Sequence, residues 1–331
     1  MTILASFSFS SSILDTHVFQ RECDVMLFAD GRISDQAGAN LIIDTAPKIA
    51  VQEVKVVTTD RRTLTTDVAI GYAGASALVA LSVLNFSAHV LRHLVGETLP
   101  SIEQIVSFVA EALKVSITEY SNNRHQATNL RLLVGGYDQS KQEVVLRQIT
   151  LKCVSGKYFT EIDVPSTSLT IASGPTDDNL YERIQNQVLS VSRDEDASCD
   201  AEDLVARQVE LFVRDNSKDR PYGGQLQVCR IGAFGAQLAT TKFWDKSYRS
   251  DDLPADWNHG DYRSLMLGYD VFDLRVGQCD FQPHYIYHLP DSDGTPWAKG
   301  PIKIEERPAD DGDVFSRPRK GLLDIRNFSK K

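Results

Sequence analysis

The sequence predicts an α+β fold, with antiparallel sheets carrying helices on their outer faces, and three observations predict it. Strand-like and helix-like segments come in runs (strands, two helices, strands, two helices, a strand) instead of alternating singly. Segregated runs of this kind favour helices layered on antiparallel sheets over a parallel sheet. With 331 residues, 42% of them hydrophobic and 24% charged, the chain has material for a sizeable core. Beyond residue 235 the character changes: residues 236–331 hold seven of the 12 prolines, all three tryptophans and 13 of the 28 aromatics. The expected organisation is therefore a domain over residues 1–235 and an extension over 236–331.

The elements follow in order. Residues 2–9 alternate small and apolar side chains, as a strand does, and the cluster Ser10-Ser11-Ser12 stops them. Residues 25–29 are a short apolar run ending at Asp30, a second strand returning beside the first. Residues 49–57 and 66–72 read as another pair, with Thr58-Thr59-Asp60-Arg61 near the turn. Over 75–94 the spacing becomes helical, with Leu78, Leu81, Leu84, Val90, Leu91 and Leu94 among its apolar positions. A second helix starts at Ser101, where Gln104 three residues on suggests a capping box. Ile102, Ile105, Val109, Leu113 and Ile117 make its apolar face, which runs toward Tyr120. Strand signals return at 130–134, 143–150, 158–164 and 168–172. Helices are expected over 179–191 and 201–213, the latter capped by Asp200, before a final strand at 225–231. In the extension, 265–276 and 281–289 carry strand signals among prolines and Asp-Gly turns. A segment so rich in aromatics is expected to pack, on the core or on a neighbouring subunit. From residue 304 the chain is highly charged and expected to be loosely held, and there is no internal repeat.

Composition removes several function classes. A formal charge of −10 and a pI near 5.2 argue against a nucleic-acid partner, which needs a basic surface. No apolar run is long enough to cross a bilayer, and residues 1–12 lack the pattern of a secretion signal. Cys23, Cys153, Cys199, Cys229 and Cys279 are odd in number and without CxxC spacing, which reads as reduced thiols in a cytoplasm. His284 and His288 sit four apart with no third ligand nearby, so they read as one strand face rather than a metal pair. Neither Gly71-Tyr72-Ala73-Gly74 nor Gly135-Gly136 is followed by the Lys-Ser/Thr of a phosphate loop. No cofactor or metal is expected.

The residues that carry chemistry begin at position two. An initiator methionine is commonly removed before a small residue, which would leave Thr2 first in the chain. A threonine hydroxyl is a poor nucleophile unless a base sits beside it, and a terminal amine can be that base. Three landmarks follow in order: Asp30 within Ala29-Asp30-Gly31-Arg32, Lys48 within Pro47-Lys48-Ile49, and Gly74 within Ala73-Gly74-Ala75. Downstream come Ile171-Ala172-Ser173-Gly174 and Asp219-Arg220-Pro221-Tyr222-Gly223-Gly224.

In this order the landmarks resemble the proteasome β-subunit family, which includes the bacterial HslV and Anbu peptidases, and the resemblance covers roughly residues 2–235. It implies an N-terminal-nucleophile hydrolase fold, a four-layer αββα sandwich, and a threonine-type peptidase in a self-compartmentalising homo-oligomer. It also implies roles. Thr2 Oγ would attack a carbonyl carbon, its own amine taking the proton directly or through a water. Lys48 would lower the proton affinity of amine or hydroxyl, and Asp30 would hold that lysine charged. The Gly74 N–H would meet the developing oxyanion, and Ser173 and Asp219 would orient the amine and its water. The partners implied are a peptide or protein substrate, further copies of the chain and a separate ATPase unfoldase.

The chain also departs from that family. The stretch between Thr2 and Asp30 is long, implying an extended loop around residues 10–22, and an extra hairpin is expected near 58–66. Lys55 is thereby a rival to Lys48. Tyr222 stands where the family has a serine, and Leu78 where it has an aspartate. Cys23 and Thr16 fail as processed nucleophiles, because cleavage there would discard the strand that starts at Thr2. Rival readings are a catalytically inactive structural or regulatory relative, an amidohydrolase of small amides, and an interaction module using the aromatic extension.

Overall fold

A computed structural model of the chain describes residues 2–9, 23–34, 41–43, 46–74, 77–124, 129–165, 167–175, 179–191, 201–217 and 222–244, with short strands beyond. The architecture is mixed α+β. In chain order it runs β1 (Leu4–Ser8), β2 (Val25–Ala29), β3 (Ile33–Ser34), β4 (Leu41–Ile43), β5 (Ile49–Val57) and β6 (Thr63–Gly74). Then come α1 (Ala77–Leu91), β7 (Leu94–Val95), α2 (Ile102–Arg124), β8 (Leu130–Asp138), β9 (Glu143–Val154), β10 (Lys157–Asp163) and β11 (Leu169–Ser173). The helices α3 (Leu180–Val191) and α4 (Ala201–Ser217) precede β12 (Gln227–Gly232) and β13 (Gly235–Trp244). Five short strands follow: β14 (Tyr262–Met266), β15 (Tyr269–Asp270), β16 (Arg275–Val276), β17 (Cys279–Asp280) and β18 (Ile286–His288).

The first large sheet has the order β11-β1-β2-β12-β13-β14-β15, with β18 also on β13, and the second has the order β10-β9-β8-β6-β5-β7. Successive residues of a strand face opposite sides, and here both sides are buried. In the first sheet Ile3, Ala5, Phe7, Met26, Phe28 and Val228 join Leu204, Val205, Val209 and Phe212 of α4 in one apolar cluster. The alternate positions Leu4, Leu27, Ala29, Cys229 and Ile231 share a second cluster with Ile49, Ala69 and Leu133 of the other sheet. On that sheet the remaining positions, Val68, Ile70, Tyr72, Leu132 and Val134, join Val83, Ile105, Val109 and Leu113 of α1 and α2.

Ser101 and Gln104 form the expected reciprocal cap at the head of α2: Ser101 N donates to Gln104 Oε1 at 2.9 Å and Gln104 N to Ser101 Oγ at 3.3 Å. Elsewhere the structure revises the reading. The strand at 225–231 is not the last of its sheet, since β13 pairs with β12 across a hairpin closed by Gly232 and Gly235. The helix read as 75–94 ends at Leu91, because His93 N turns back to Val90 O and Leu94–Val95 then pairs with Val56–Val57. The hairpin near 58–66 is the far end of the β5–β6 ladder, turned at Arg61 with φ of 64°. Beyond β13, β14 pairs antiparallel with Thr241–Trp244 and β18 parallel with Thr240–Lys242. The loop at 10–22, Thr16, Cys199, Asp200, Asp219, His284 and residues from 289 onward lie outside the described residues. No helix among the described residues is long and apolar enough to cross a membrane.

Candidate active site

The site forms where the two sheets meet at one end. Antiparallel pairing of β1 with β2 sets Leu4 opposite Ala29, which brings the residues before β1 alongside the residue after β2. Asp30 N donates to Ile3 O at 3.2 Å, and Ile3 N donates to Asp30 Oδ1 at 2.9 Å. Lys48 arrives from the other sheet, one residue before β5. Its Nζ donates to Thr2 Oγ1 at 2.9 Å, to Asp30 Oδ1 at 2.9 Å, and to the backbone carbonyl of Arg32. Thr2 is 5% exposed, and Asp30 and Lys48 are 0% exposed. Three residues far apart in sequence thus share one buried contact.

Burial pushes the Asp30 carboxyl above its usual range, while the Lys48 ammonium and the N–H groups of Gly223 and Ile3 pull it back. Three donors meet this carboxyl, Ile3 N and Lys48 Nζ on Oδ1 and Gly223 N on Oδ2 at 2.9 Å. A protonated carboxyl would set its own O–H against one of them, so at neutral pH the site holds a carboxylate–ammonium pair. An ammonium donating to the threonine hydroxyl lowers the proton affinity of that oxygen, which is what a nucleophile needs.

Around this contact the backbone is tightly held. The Arg32 guanidinium donates to Tyr222 O at 2.9 Å and lies against Gly223, where an added Cβ would stand 2.8 Å from Arg32 Cζ. Arg32 N in turn donates to Gly223 O at 2.9 Å. Gln227, 3% exposed, accepts on Oε1 from Lys48 N at 2.8 Å and Ile49 N at 3.3 Å, and donates from Nε2 to Ala46 O at 2.6 Å. Tyr72 N donates to Lys48 O at 3.0 Å from the neighbouring strand. The Tyr72 hydroxyl is buried with no hydrogen-bond partner among the described residues, and burial with the Asp30 charge pushes it up to about 12.

Of the residues singled out in the sequence, Thr2, Asp30 and Lys48 come together here. Ser173 ends β11 opposite Leu4, and Gly174 beside it packs on Ile3. Gly74 closes β6 with φ of 141°, and a Cβ there would fall 2.1 Å from Asn129 O, so no other residue is accommodated. Lys55 lies opposite Thr65, seven residues along β5 from Lys48 and so about 23 Å away. The Tyr222 ring packs against the cluster beneath α3 and α4, and Leu78 is exposed on α1. Arg32, Gln227 and Gly223 act here through backbone or amide contacts that leave no residue-type signature. Only the Asp-Gly-Arg and Gly-Gly sequences hinted at two of them.

No protein-family model matches the chain. No curated protein matches it either. Among solved structures it is similar to an Anbu (Gly-1) mutant from Hyphomicrobium sp. strain MC1, at 14% identity and a TM-score of 0.41, over 71% of this chain and 84% of that one. It is similar to Anbu from the same strain at 13% identity and a TM-score of 0.36, over 71% and 84%. A third similarity is to Anbu (ancestral beta-subunit) from Yersinia bercovieri, at 13% and 0.40, over 69% and 80%. At these values the likenesses carry no argument about chemistry, which rests on the contacts around Thr2.

Proposed function

We propose that the chain is an N-terminal-nucleophile hydrolase, a threonine-type peptidase of the proteasome β-subunit kind, layered helix–sheet–sheet–helix. The observation that carries the reading is Lys48 Nζ, 2.9 Å from both Thr2 Oγ1 and Asp30 Oδ1 with all three residues buried. The three apolar clusters, one between the sheets and one under each helix pair, support the layering.

With Met1 removed, Thr2 Oγ would attack the carbonyl carbon of a peptide while its proton passes to the Thr2 amine, directly or through a water. Lys48 would hold down the proton affinity of the hydroxyl, Asp30 would keep Lys48 charged, and the Gly74 N–H would meet the oxyanion. The C–N bond then breaks as the proton moves from the amine to the leaving nitrogen, which leaves an ester on Thr2. Water, deprotonated by the same amine, hydrolyses that ester and restores the hydroxyl. Ser173 and Asp219 would orient amine and water. The same reading includes a cytoplasmic, self-compartmentalising homo-oligomer, a peptide or protein substrate and a separate ATPase unfoldase. Pairing of β14 and β18 with β13 supports packing of the extension on the core.

The test is N-terminal sequencing with Thr2→Ala compared against the parent on peptide and small-amide panels. We expect Thr2 at the N-terminus and a loss of peptide hydrolysis of about 10³-fold or more in Thr2→Ala. Unchanged hydrolysis in that variant overturns the reading. Turnover confined to small amides would make the enzyme an amidohydrolase with the same nucleophile. Tyr222, whose ring packs into an apolar cluster where the family has a serine, favours the second reading of an inactive structural or regulatory subunit. Retention of Met1 together with no labelling by a peptide epoxyketone would select it.

A further inference from the structure

We propose that Gln227 is a positioning residue that sets where Lys48 delivers its charge, an inference that rests on the hydrolase reading above. Thr2 and Asp30 belong to the first sheet and Lys48 to the second, so no single ladder of backbone hydrogen bonds fixes the spacing between them. Within the second sheet Tyr72 N donates to the Lys48 carbonyl at 3.0 Å, and Pro47 before it has no N–H to give. Ala46 N donates to Gly31 O at 2.9 Å across the gap, and Gln227 adds the side-chain cross-link that reaches Lys48 itself. Its backbone sits in register with Ala29, the residue before Asp30, on β12. Its side chain takes the position of Cys229 and Ile231 on the inter-sheet face. From there the amide ties Lys48 N, Ile49 N and Ala46 O, so it measures the distance from the strand bearing the carboxylate to the strand bearing the ammonium.

A buried amide in an otherwise apolar layer is costly unless its hydrogen bonds are made, and its absence would leave two N–H groups and a carbonyl unpaired. Once Lys48 retreats from Thr2, two consequences follow. Misplacement by about 1 Å costs on the order of 10²-fold in kcat, with KM little changed. The acid limb of kcat/KM also moves up by roughly half a pH unit, because a more distant ammonium depresses the proton affinity of the Thr2 amine less. Mere loss of folded protein would lower the rate and leave that limb in place.

The experiment compares full-length parent, Thr2→Ala, Gln227→Met and Gln227→Glu in turnover against pH, with crystal structures of parent and Gln227→Met. Expected are the kcat loss and the upward limb in Gln227→Met. Partial recovery is expected in Gln227→Glu, whose protonated carboxyl reproduces one acceptor and one donor. Parent-like kcat in Gln227→Met, or a rate loss without movement of the limb, overturns the inference. If Gln227→Met does not fold, Gln227→Asn, one methylene short of the backbone it ties, carries the same readouts. If Thr2→Ala hydrolyses like the parent, the hydrolase reading falls, and the crystals still decide this one. A Lys48 Nζ–Thr2 Oγ1 separation widened beyond hydrogen-bond reach from 2.9 Å upholds it, and an unchanged separation sinks it.

Discussion

The two ends of β2 carry two buried ion pairs, each beside a hydroxyl or thiol, and only one of them sets its cation against that group. After β2, Asp30 and Lys48 pair at 2.9 Å and the ammonium touches Thr2 Oγ1. Before β2, Glu202 and Arg230 pair at 2.7 Å, and Glu202 Oε1 accepts from Cys23 N at 2.9 Å. Burial first, then the Glu202 charge, pushes the Cys23 thiol well above its usual range, and Arg230 opposes this. A buried ion pair therefore does not make an active centre. At Thr2 the nearest charge is a cation, whereas at Cys23 burial is reinforced by a carboxylate.

The largest expected effect comes from removing the cation at each end. Lys48→Met and Arg230→Met each strand a buried carboxylate and should each cost about 3–5 kcal/mol in denaturant unfolding. Their effects on turnover part company. Lys48→Met should lower hydrolysis by about 10³-fold or more, while Arg230→Met keeps the parent rate in the fraction that remains folded. Adding Asp30→Asn to Lys48→Met should recover part of that stability, because the amide NH2 then faces the N–H of Ile3 or Gly223, without recovering rate. A return of activity in that double variant would show that the charge on Lys48 is not what serves Thr2.

How much of this was legible in the sequence differs between the ends. Helices α1 to α4 and strand β5 announce themselves by periodicity, and β5 begins and ends where its apolar run does. The strand β13 was missed because small residues such as Ala236 and Ala239 face apolar clusters on its two sides, so no alternation of polar and apolar marks it. At the Thr2 end, three side chains with proposed chemical roles stand in a recognisable order. At the Cys23 end, Glu202 and Arg230 are ordinary charged letters in a helix and a strand, and nothing but the packing of α4 on the first sheet says they meet. Gln227 was invisible for a related reason, since it acts on backbone groups and any residue may supply those.

Glu210 tests how pairing distance separates a charged from a neutral buried carboxyl. Its ion-pair partner among the described residues is Arg214, at 4.0 Å, against 2.7 Å for Glu202 and 2.9 Å for Asp30. Burial pushes its carboxyl from 4.5 up to about 8, with Arg214 opposing. Because the folded state holds this proton more tightly than the unfolded one, the associated stability is complete below pH 4.5 and is lost as pH rises through about 8. The loss is on the order of a few kcal/mol. Unfolding free energies of Glu210→Gln should be flatter than those of the parent over that window, and parallel curves would show that Glu210 is ionised throughout.

The smallest effect concerns the thiols themselves. Cys153 is exposed, whereas Cys23 and Cys229 are buried, and burial holds the Cys229 thiol up at about 12. Peptide mapping after brief alkylation of the native protein should find Cys153 labelled, and Cys23 and Cys229 protected. Glu202→Gln removes the carboxylate beside Cys23 and leaves its burial in place, so labelling of Cys23 should rise by less than about tenfold. A rise to the rate of Cys153 would mean that charge, not burial, silences Cys23. The two ends of β2 would then differ by a single ionised oxygen pair, and the far end would lie one substitution from holding a reactive thiolate.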